Sequence, residues 1–232
     1  PLNNPLILGQ IASLGQMGAP FDILSLSDLD KLPPRKLLVF PNLFAPTDDQ
    51  VRLIHERLER DGATALFVYA AGYLNGEDGI RKLTGLRITA DSDRRPFNVE
   101  VTPQALGLED GVSYGTSSPI GQARPYDIPV SPTFHIQDDI EVFGLDADNG
   151  KPAFGAKRMD GWTSVYSGAP GLTAPVLRAL ARKAGAHLYI DEDAVVYANA
   201  SILSVTVVEP GPREIRLPKP CTVEDAATGD IL

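Results

Sequence analysis

The chain has 232 residues, which is enough for one large domain or for one domain with a smaller appendage. Its composition, with 43% hydrophobic and 22% charged residues, is that of an ordinary globular protein, and no apolar run approaches the roughly 20 residues that cross a bilayer. The formal net charge of -9, without a basic cluster, argues against nucleic acid or an anionic membrane as a partner, because both would repel the chain.

The first 45 residues predict a helix followed by two strands. Apolar residues from Leu6 to Met17 recur at near-helical spacing, and residues 21–26 have the composition of a short strand. The run "KLLVFPN" then gives a second strand. Because its apolar core is continuous, we expect this strand to be buried on both faces.

The segment "PTDDQVRLIHERLERDG" carries the strongest helix signal in the chain. Thr47 is a suitable N-cap, and Gln50 stands three residues later as its capping-box partner. Ile54 and Leu58 belong to one apolar stripe, and Gly62 ends the helix.

A strand, "ATALFVYA", comes next and runs into a turn of small residues and a short helix ended by Gly85. Alternation of strands and helices is typical of a parallel sheet with helices packed on its faces. We therefore predict an α/β fold, a flavodoxin-like or amidotransferase-like three-layer sandwich with a mainly parallel sheet.

Residues 87–160 interrupt this alternation with short strand-like runs separated by Gly and Pro, which predicts a β-rich insertion. The dipeptide Asn149-Gly150 is a hairpin-turn candidate. The surrounding "DADNGKP" does not fit a calcium loop, because Gly150 falls one place early and Lys157 stands where the bidentate acid should be.

The α/β pattern returns with a strand at residues 162–167, a helix with Thr173 as its N-cap and Gly185 at its end, and a strand at "AHLYI". We place the α/β domain at residues 1–192 and a C-terminal β-strand segment at residues 193–232. The lone cysteine, Cys221, cannot form an intrachain disulfide and is interpreted as a small residue of a C-terminal strand.

Ligands of doubly wound sheets bind at the carboxyl ends of the strands. Three such ends are predicted here, and Asn42, Tyr73 and Ser167 lie at or just beyond them. None of the three ends carries a cysteine, histidine or acid at its tip. The sequence therefore offers no catalytic residue at the place where the fold would hold one.

Two long segments carry a resemblance to a known family. They are "LPPRKLLVFPNLFAPTDDQVRLIHERLERDGATALFVYAAGYLNG", with "IRKLTGL" after it, and "GWTSVYSGAPGLTAPVLRALARKAGAHLYIDEDAVVYAN". The closing "EIRLPKPCTVEDAATGDIL" is similar to the strand-rich end of related glycosidases. Together they resemble the amidotransferase-like domain of β-galactosidase-type glycoside hydrolases.

The resemblance implies a domain that follows a catalytic barrel and contributes to trimer formation. Glutamine amidotransferases of this fold carry a nucleophilic cysteine, which by position falls near Ala71 or Gly72, and a histidine, which falls near Ser167 or Gly168. Both are missing here, so the resemblance implies the shape without the chemistry. It implies no cofactor.

We expect a non-catalytic scaffold and oligomerisation domain of a multidomain glycoside hydrolase, whose partners are the catalytic barrel and further copies of the chain. The alternative is a carbohydrate-binding module that uses Asn42, Tyr73 and Ser167. Because the chain starts at Pro1 without an initiator methionine or a leader, we also expect it to be a piece of a longer or processed protein, whose compartment the sequence does not indicate.

Other enzymatic candidates are weaker. A serine hydrolase would use Ser164 or Ser167 with His187 as the base, yet neither serine lies in a G-x-S-x-G elbow. His55 is expected on the solvated face of its helix, and the three histidines lack the spacing of a metal site, so no metal is predicted. Acidic runs such as residues 191–193 are interpreted as solvated surface.

Overall fold

The computed structural model describes residues 4–117 and 127–231. Its α-helices are α1 (Gly9–Gly15), α2 (Asp48–Asp61), α3 (Gly76–Thr84), α4 (Pro103–Leu106) and α5 (Ala174–Lys183). Its strands are β1 (Leu37–Phe40), β2 (Thr64–Val68), β3 (Ile88–Asp91), β4 (Asn98–Val101), β5 (Ser113–Gly115), β6 (Thr133–Ile136), β7 (Glu141–Asp146), β8 (Pro152–Arg158), β9 (Thr163–Ser167), β10 (Ala194–Ala198) and β11 (Leu203–Val207). A π-helical turn covers Asn4–Leu8, and 3-10 turns cover Leu26–Lys31 and Tyr73–Asn75.

The main sheet has seven strands in the order β1-β2-β9-β8-β7-β4-β5. Strands β1, β2 and β9 are parallel, and the pairs from β9 to β5 are antiparallel. The α/β class is confirmed, but the sheet is mixed rather than mainly parallel. The physical reason is that the β-rich region adds its strands to the same sheet, and antiparallel neighbours need only short connections such as the turn at Gly150, where φ is +70°.

Helices and a small second sheet pack against this main sheet. Helix α3 contacts β9, and α1 packs against α5. The two-stranded antiparallel sheet of β3 and β6 contacts β8. No helix within the described ranges is long and apolar enough to cross a membrane.

Helix α2 forms as its sequence predicts. The Thr47 hydroxyl accepts a hydrogen bond from the Gln50 backbone, and the Gln50 side chain accepts one from the Thr47 backbone, which completes the capping box. Gly62 ends the helix with φ of +58°, a conformation that favours glycine. Ile54 and Leu58 are fully buried.

The burial of strand β1 differs from what the sequence predicted. All four of its residues are half-buried, whereas the continuous apolar run predicted burial on both faces. The strand lies at the edge of the main sheet, so it has a neighbour on one side, where Phe40 stacks on Phe67 with ring centroids 5.2 Å apart. A run of apolar residues does not reveal whether a strand is central or at an edge.

Two predicted strands are not formed. Residues 21–25 are irregular and lead into the 3-10 turn at Leu26–Lys31, where the Ser25 hydroxyl accepts a hydrogen bond from the Ser27 backbone. The segment "AHLYI" is also irregular, because its backbone bonds go to separate segments: Tyr189 donates to Gly18 and accepts from Arg216. Within residues 4–117 and 127–231, neither segment is paired with a strand in a ladder.

The C-terminal segment begins with a hairpin of β10 and β11, packed over a small apolar cluster of Ile190, Ala194 and Val196. From Val208 to Ile231 the chain contains one isolated bridge, between Glu224 and Ile231, and no regular strand. Cys221 is exposed in this irregular part, so its placement in a strand was wrong.

Candidate functional site

The parallel alignment of β1, β2 and β9 brings their carboxyl ends to one edge of the sheet. The loop after β1 and the turn after β2 are joined by a hydrogen bond of 2.8 Å from Gly72 to the Leu43 carbonyl and by one of 3.1 Å from Leu74 to the Phe44 carbonyl. The backbone of Tyr69 donates to the carbonyl of Ser167 at 2.7 Å. The three segments that carry Asn42, Tyr73 and Ser167 are therefore neighbours.

The side chains of these three residues differ sharply in accessibility. Asn42 is exposed, and Tyr73 is half-buried with its ring packed edge-on against Phe134 at a centroid distance of 5.1 Å. Ser167 is fully buried. Its hydroxyl donates to the Ala169 carbonyl and shares a 2.7 Å hydrogen bond with the hydroxyl of Tyr114, so its bonding capacity is used within the protein.

The backbone at the turn after β2 singles out a residue that the sequence did not. Tyr69 follows Val68, the last residue of β2, with φ of +57°, and it is the non-glycine residue with positive φ among residues 4–117 and 127–231. Such a conformation is unfavourable for an aromatic residue and persists only where surrounding contacts impose it. A strained residue directly after a strand is also the position of the nucleophile in enzymes with an elbow of this kind.

We call Tyr69 the elbow residue, because it is the strained position directly after β2; it lies two residues before Ala71, near which the resemblance predicted the cysteine. Tyrosine and alanine after Val68 are consistent with a strand that continues, so the sequence did not indicate a turn at Tyr69. No local motif marks Tyr69, because its φ is set by tertiary contacts.

Tyr69 is fixed by contacts from three directions. Its hydroxyl donates to the Pro132 carbonyl at 3.0 Å, its ring packs edge-on against Phe134, and its own carbonyl accepts a hydrogen bond from the hydroxyl of Tyr166. Burial, with a smaller contribution from neighbouring Tyr73, raises the pKa of Tyr69 to about 12. The phenol is therefore protonated at neutral pH and acts as a hydrogen-bond donor.

The small residues of this turn have a packing role. A Cβ atom added to Gly72, where φ is +79°, would lie 2.7 Å from the carbonyl oxygen of Gly79 in α3, and one added to Gly79 would lie 2.5 Å from the carbonyl oxygen of Gly72. Ala71 is fully buried. The turn is thus composed of small residues because α3 packs directly on it, and close approach of backbones is what glycine permits.

A second polar cluster lies between the small sheet and the main sheet. His135 of β6 and Asp146 of β7 are both buried, and His135 Nε2 lies 2.7 Å from Asp146 Oδ2. Arg95 pairs with Asp146 and also with the exposed Asp148, at 2.7 Å. Burial alone would raise the pKa of Asp146, but hydrogen bonds from Arg95 and His135 outweigh it and lower that pKa below its usual range.

This cluster joins the small sheet to the main sheet. The Asp146 carboxylate accepts from both neighbours, as buried carboxylates require, and His135 Nε2 is thereby the donor. Across the described ranges, no three metal-ligating side chains converge as a metal site would need. The sequence could not indicate the cluster, because Arg95 and Asp146 are 51 positions apart.

The remaining candidates are engaged separately. The hydroxyl of Ser164 is buried and donates to the Thr84 carbonyl at 2.6 Å, whereas the exposed His187 bonds to the Arg216 carbonyl at 2.8 Å. These two residues do not form a nucleophile-base pair. His55, expected on a solvated face, is half-buried and packs against the ring of Trp162 at 5.4 Å.

The acidic run at residues 191–193 pairs with arginines from two parts of the chain. Asp193 binds Arg178 of α5 at 2.5 Å, and Glu192 binds Arg213 of the C-terminal segment at 2.5 Å. Asp191 pairs with Arg182 and lies 3.8 Å from Arg216. These carboxylates connect α5 to the C-terminal segment, so the run has a structural role beyond solvation.

Comparison with known proteins gives no match in sequence: no family model fits the chain, and no curated protein matches it. Solved structures do match. A β-galactosidase from Bacillus circulans sp. alkalophilus is 15% identical, with a TM-score of 0.66 over 98% of this chain and 34% of its own. The chain therefore has the fold of one part of a β-galactosidase. The resemblance stated from the sequence is confirmed at the level of the fold.

Two further structures agree with this likeness. A β-galactosidase from Halorubrum lacusprofundi is 17% identical, with a TM-score of 0.59 over 87% of this chain and 30% of its own. An α-L-fucosidase isoenzyme 2 from Paenibacillus thiaminolyticus is 14% identical, with a TM-score of 0.57 over 95% and 37%. The chain spans about a third of the length of each of these three proteins, so other domains make up the rest of them.

Proposed function

We propose that this chain is a non-catalytic scaffold and oligomerisation domain of a multidomain, β-galactosidase-like glycoside hydrolase. The likeness to β-galactosidase chains supports this proposal, since it covers nearly all of this chain but only about a third of theirs. Glycoside hydrolysis uses a pair of carboxylic acids that flank the scissile bond. In this proposal those acids belong to a catalytic barrel in the rest of the parent protein, and this domain packs against that barrel.

The observation that carries the proposal is the residue at the elbow after β2, which is Tyr69. A residue at this position can attack a substrate when its side chain is nucleophilic and reaches solvent. Tyr69 is 3% exposed, its phenol donates to Pro132, and burial raises its pKa. The neighbouring strand end is filled by Ser167, which is also buried and bonded internally.

Activity measurements test this proposal directly. The purified chain should hydrolyse neither nitrophenyl galactosides nor glutamine, and it should bind a separately expressed catalytic barrel of a parent enzyme. Turnover by the purified chain that disappears in Tyr73→Ala or Ser167→Ala would overturn the proposal. Tyr69→Phe serves as the matched control, because it removes a structural hydroxyl at the same edge.

A second candidate function is carbohydrate binding at the same edge of the sheet. The exposure of Asn42 and the half-exposed ring of Tyr73 favour it, since an aromatic face and an amide are common means of holding a sugar ring. Ser167 would have to break its bonds with Tyr114 and Ala169 to take part. Calorimetry separates this candidate from a pure scaffold.

A further inference from the structure

Two Asn-Gly dipeptides occur in the chain, Asn75-Gly76 and Asn149-Gly150. This dipeptide is reactive, because glycine has no side chain to shield its backbone nitrogen from the amide carbon of the preceding asparagine. Attack by that nitrogen closes a cyclic imide and expels ammonia. In a folded protein the reaction depends on how the asparagine side chain and the glycine backbone are held, and the two sites differ in both respects.

Asn149 lies in the turn that joins β7 to β8. Residues 147–151 are exposed, and a Cβ atom added to Gly150 would meet no atom within 4 Å. The side-chain oxygen Oδ1 of Asn149 accepts a hydrogen bond of 2.9 Å from the backbone N–H of Lys151. Because Lys151 is two residues further on, this Asx-turn folds the side-chain amide back over the intervening peptide bond. The amide carbon of Asn149 is therefore held near the nitrogen of Gly150.

The backbone N–H of Lys151 also favours the reaction electronically. It donates to the oxygen on which negative charge develops when the nitrogen of Gly150 adds to the amide carbon. A backbone N–H at a developing oxyanion stabilises the transition state, as it does in acyl transfer. The opposing contact is a hydrogen bond of 2.8 Å from the Gly150 N–H to the Asp146 carbonyl. This bond lies in an exposed turn, where local opening costs little free energy.

Asn75 is held in the opposite way. Its side-chain nitrogen Nδ2 donates to the Pro46 carbonyl at 2.8 Å, which ties the amide to the loop after β1 rather than to its own peptide bond. Gly76 is the first residue of α3, and its N–H donates to the Tyr73 carbonyl. Ring closure at Asn75 would therefore require both the loss of the Pro46 contact and the unwinding of the start of α3.

We propose that Asn149 is a site of spontaneous deamidation in the folded protein and that Asn75 is not. Water or hydroxide removes the proton of the Gly150 nitrogen as that nitrogen bonds to Cγ of Asn149. The Cγ–Nδ2 bond then breaks, and the departing nitrogen takes up a proton and leaves as ammonia. Water opens the cyclic imide: cleavage at the main-chain carbonyl gives isoaspartate, and cleavage at the side-chain carbonyl gives aspartate. Either product makes the formal net charge of -9 one unit more negative.

The products alter the turn that carries Asp146. Isoaspartate routes the main chain through the former side chain and adds a main-chain atom between β7 and β8, which disturbs the hydrogen bond of 2.8 Å from the Asp146 N–H to the Lys151 carbonyl. Either product also places a further carboxylate next to Asp148, which pairs with Arg95. Deamidation therefore weakens the junction between the small sheet and the main sheet as the protein ages.

Peptide mapping by mass spectrometry tests this inference on the purified chain after days in mildly alkaline buffer. The peptide that contains Asn149 should acquire the mass change of amide-to-acid conversion roughly tenfold faster than the peptide that contains Asn75, since only the former has its reacting groups held together. In urea that unfolds the chain the two rates should converge, because neither asparagine is then held in place. A folded chain in which Asn149 stays intact, or in which Asn75 reacts as fast, would overturn the inference.

Two variants test the structural consequence. Ageing should lower the unfolding temperature of the unmodified chain in proportion to conversion at Asn149, and it should leave that of Asn149→Ser unchanged. Asn75→Ser is the matched control and should age as the unmodified chain does. An equal fall in Asn149→Ser would contradict the assignment of the loss to this turn. The proposed scaffolding function is independent of these results, since it is tested by turnover and by binding of the barrel.

Discussion

The guanidinium of Arg57 and the carboxylate of Asp61 lie one helical turn apart in α2 and form an ion pair that is shielded from solvent, with side chains 1% and 2% exposed. Arg57 also donates to the carbonyls of Leu29, Leu32 and Pro33, at 2.5 to 2.8 Å. It thereby ties the segment before β1 to α2. Burial alone would raise the pKa of Asp61, but hydrogen bonds from Arg60 and Arg57 lower it overall.

Replacing Arg57 should be strongly destabilising. Arg57→Met removes the shared donor of three carbonyl oxygens and leaves the buried Asp61 carboxylate with Arg60 alone. Breaking a buried pair by removing one partner costs about 3–5 kcal/mol. Urea unfolding followed by circular dichroism measures this loss. Arg60→Ala is the matched control, because Arg60 also bonds to Asp61 but its side chain is 57% exposed, so we expect about 0–1 kcal/mol. Equal losses in both variants would contradict this account.

The cluster around Asp146 should make the protein sensitive to acid. Because the pKa of Asp146 is lowered in the folded state, its stabilising contribution is present above the unfolded pKa of about 3.9 and is lost as the pH falls through the folded value. Arg95, His135 and Asp148 are the charged or titratable groups that contact it directly or through Arg95. The free energy of unfolding should therefore fall progressively below about pH 5, as the pH passes the unfolded pKa and then the lowered folded pKa.

Asp146→Asn tests the origin of this acid sensitivity. The variant should be less stable at neutral pH and should show a shallower fall below pH 5, which chemical denaturation at several pH values measures. Asp148→Asn is the comparison, since that carboxylate is 61% exposed and its contribution is screened by solvent. An unchanged slope in Asp146→Asn would assign the acid sensitivity to other carboxylates, of which Asp61 and Asp138 also have lowered pKa values.

Gly168, directly after β9, should not tolerate a side chain. A Cβ atom there would lie 2.5 Å from the carbonyl oxygen of Phe134 and 3.1 Å from the ring of Phe97. Gly168→Ala should therefore cost about 1–3 kcal/mol, the usual effect of overpacking a core. Thermal unfolding measures the loss. Gly111→Ala is the control, because a Cβ atom at Gly111 meets no atom within 4 Å and the change should stay within about 0.5 kcal/mol.

Sugar titrations distinguish the two candidate functions. For a scaffold, calorimetric titration of the purified chain with galactose and short galactosides should give no heat beyond dilution. Heat that is present in the unmodified chain and missing in Tyr73→Ala would instead support the carbohydrate-binding candidate. Leu74→Ala is a suitable comparison, since Leu74 is the adjacent residue and is 71% exposed.

Local signals in the sequence predicted the helices best. The limits of α2 follow from the hydroxyl of Thr47, the amide of Gln50 and the positive φ of Gly62, all of which act over a few residues. The hairpin at Gly150 was predicted for the same reason. Such signals are independent of how the chain folds as a whole.

Features set by distant contacts could not be predicted. The edge position of β1 depends on strand order, and the mixed character of the sheet depends on where the β-rich region attaches. The φ of Tyr69 is imposed by Pro132, Phe134 and Tyr166, which lie 63 or more residues away. At the candidate site, the sequence predicted that the three strand ends lie side by side, but it did not indicate the strained conformation of Tyr69.

The conformation of Tyr69 also bears on which other residues could stand at this position. A cysteine or serine at this position would leave the Pro132 carbonyl without its donor and would empty the space that the ring fills beside Phe134. Truncating a buried aromatic residue costs about 3–5 kcal/mol, a large share of the roughly 5–15 kcal/mol that holds a domain together. A single nucleotide change that placed a nucleophile at this position would therefore remove a large share of the stability of the domain unless other residues changed with it.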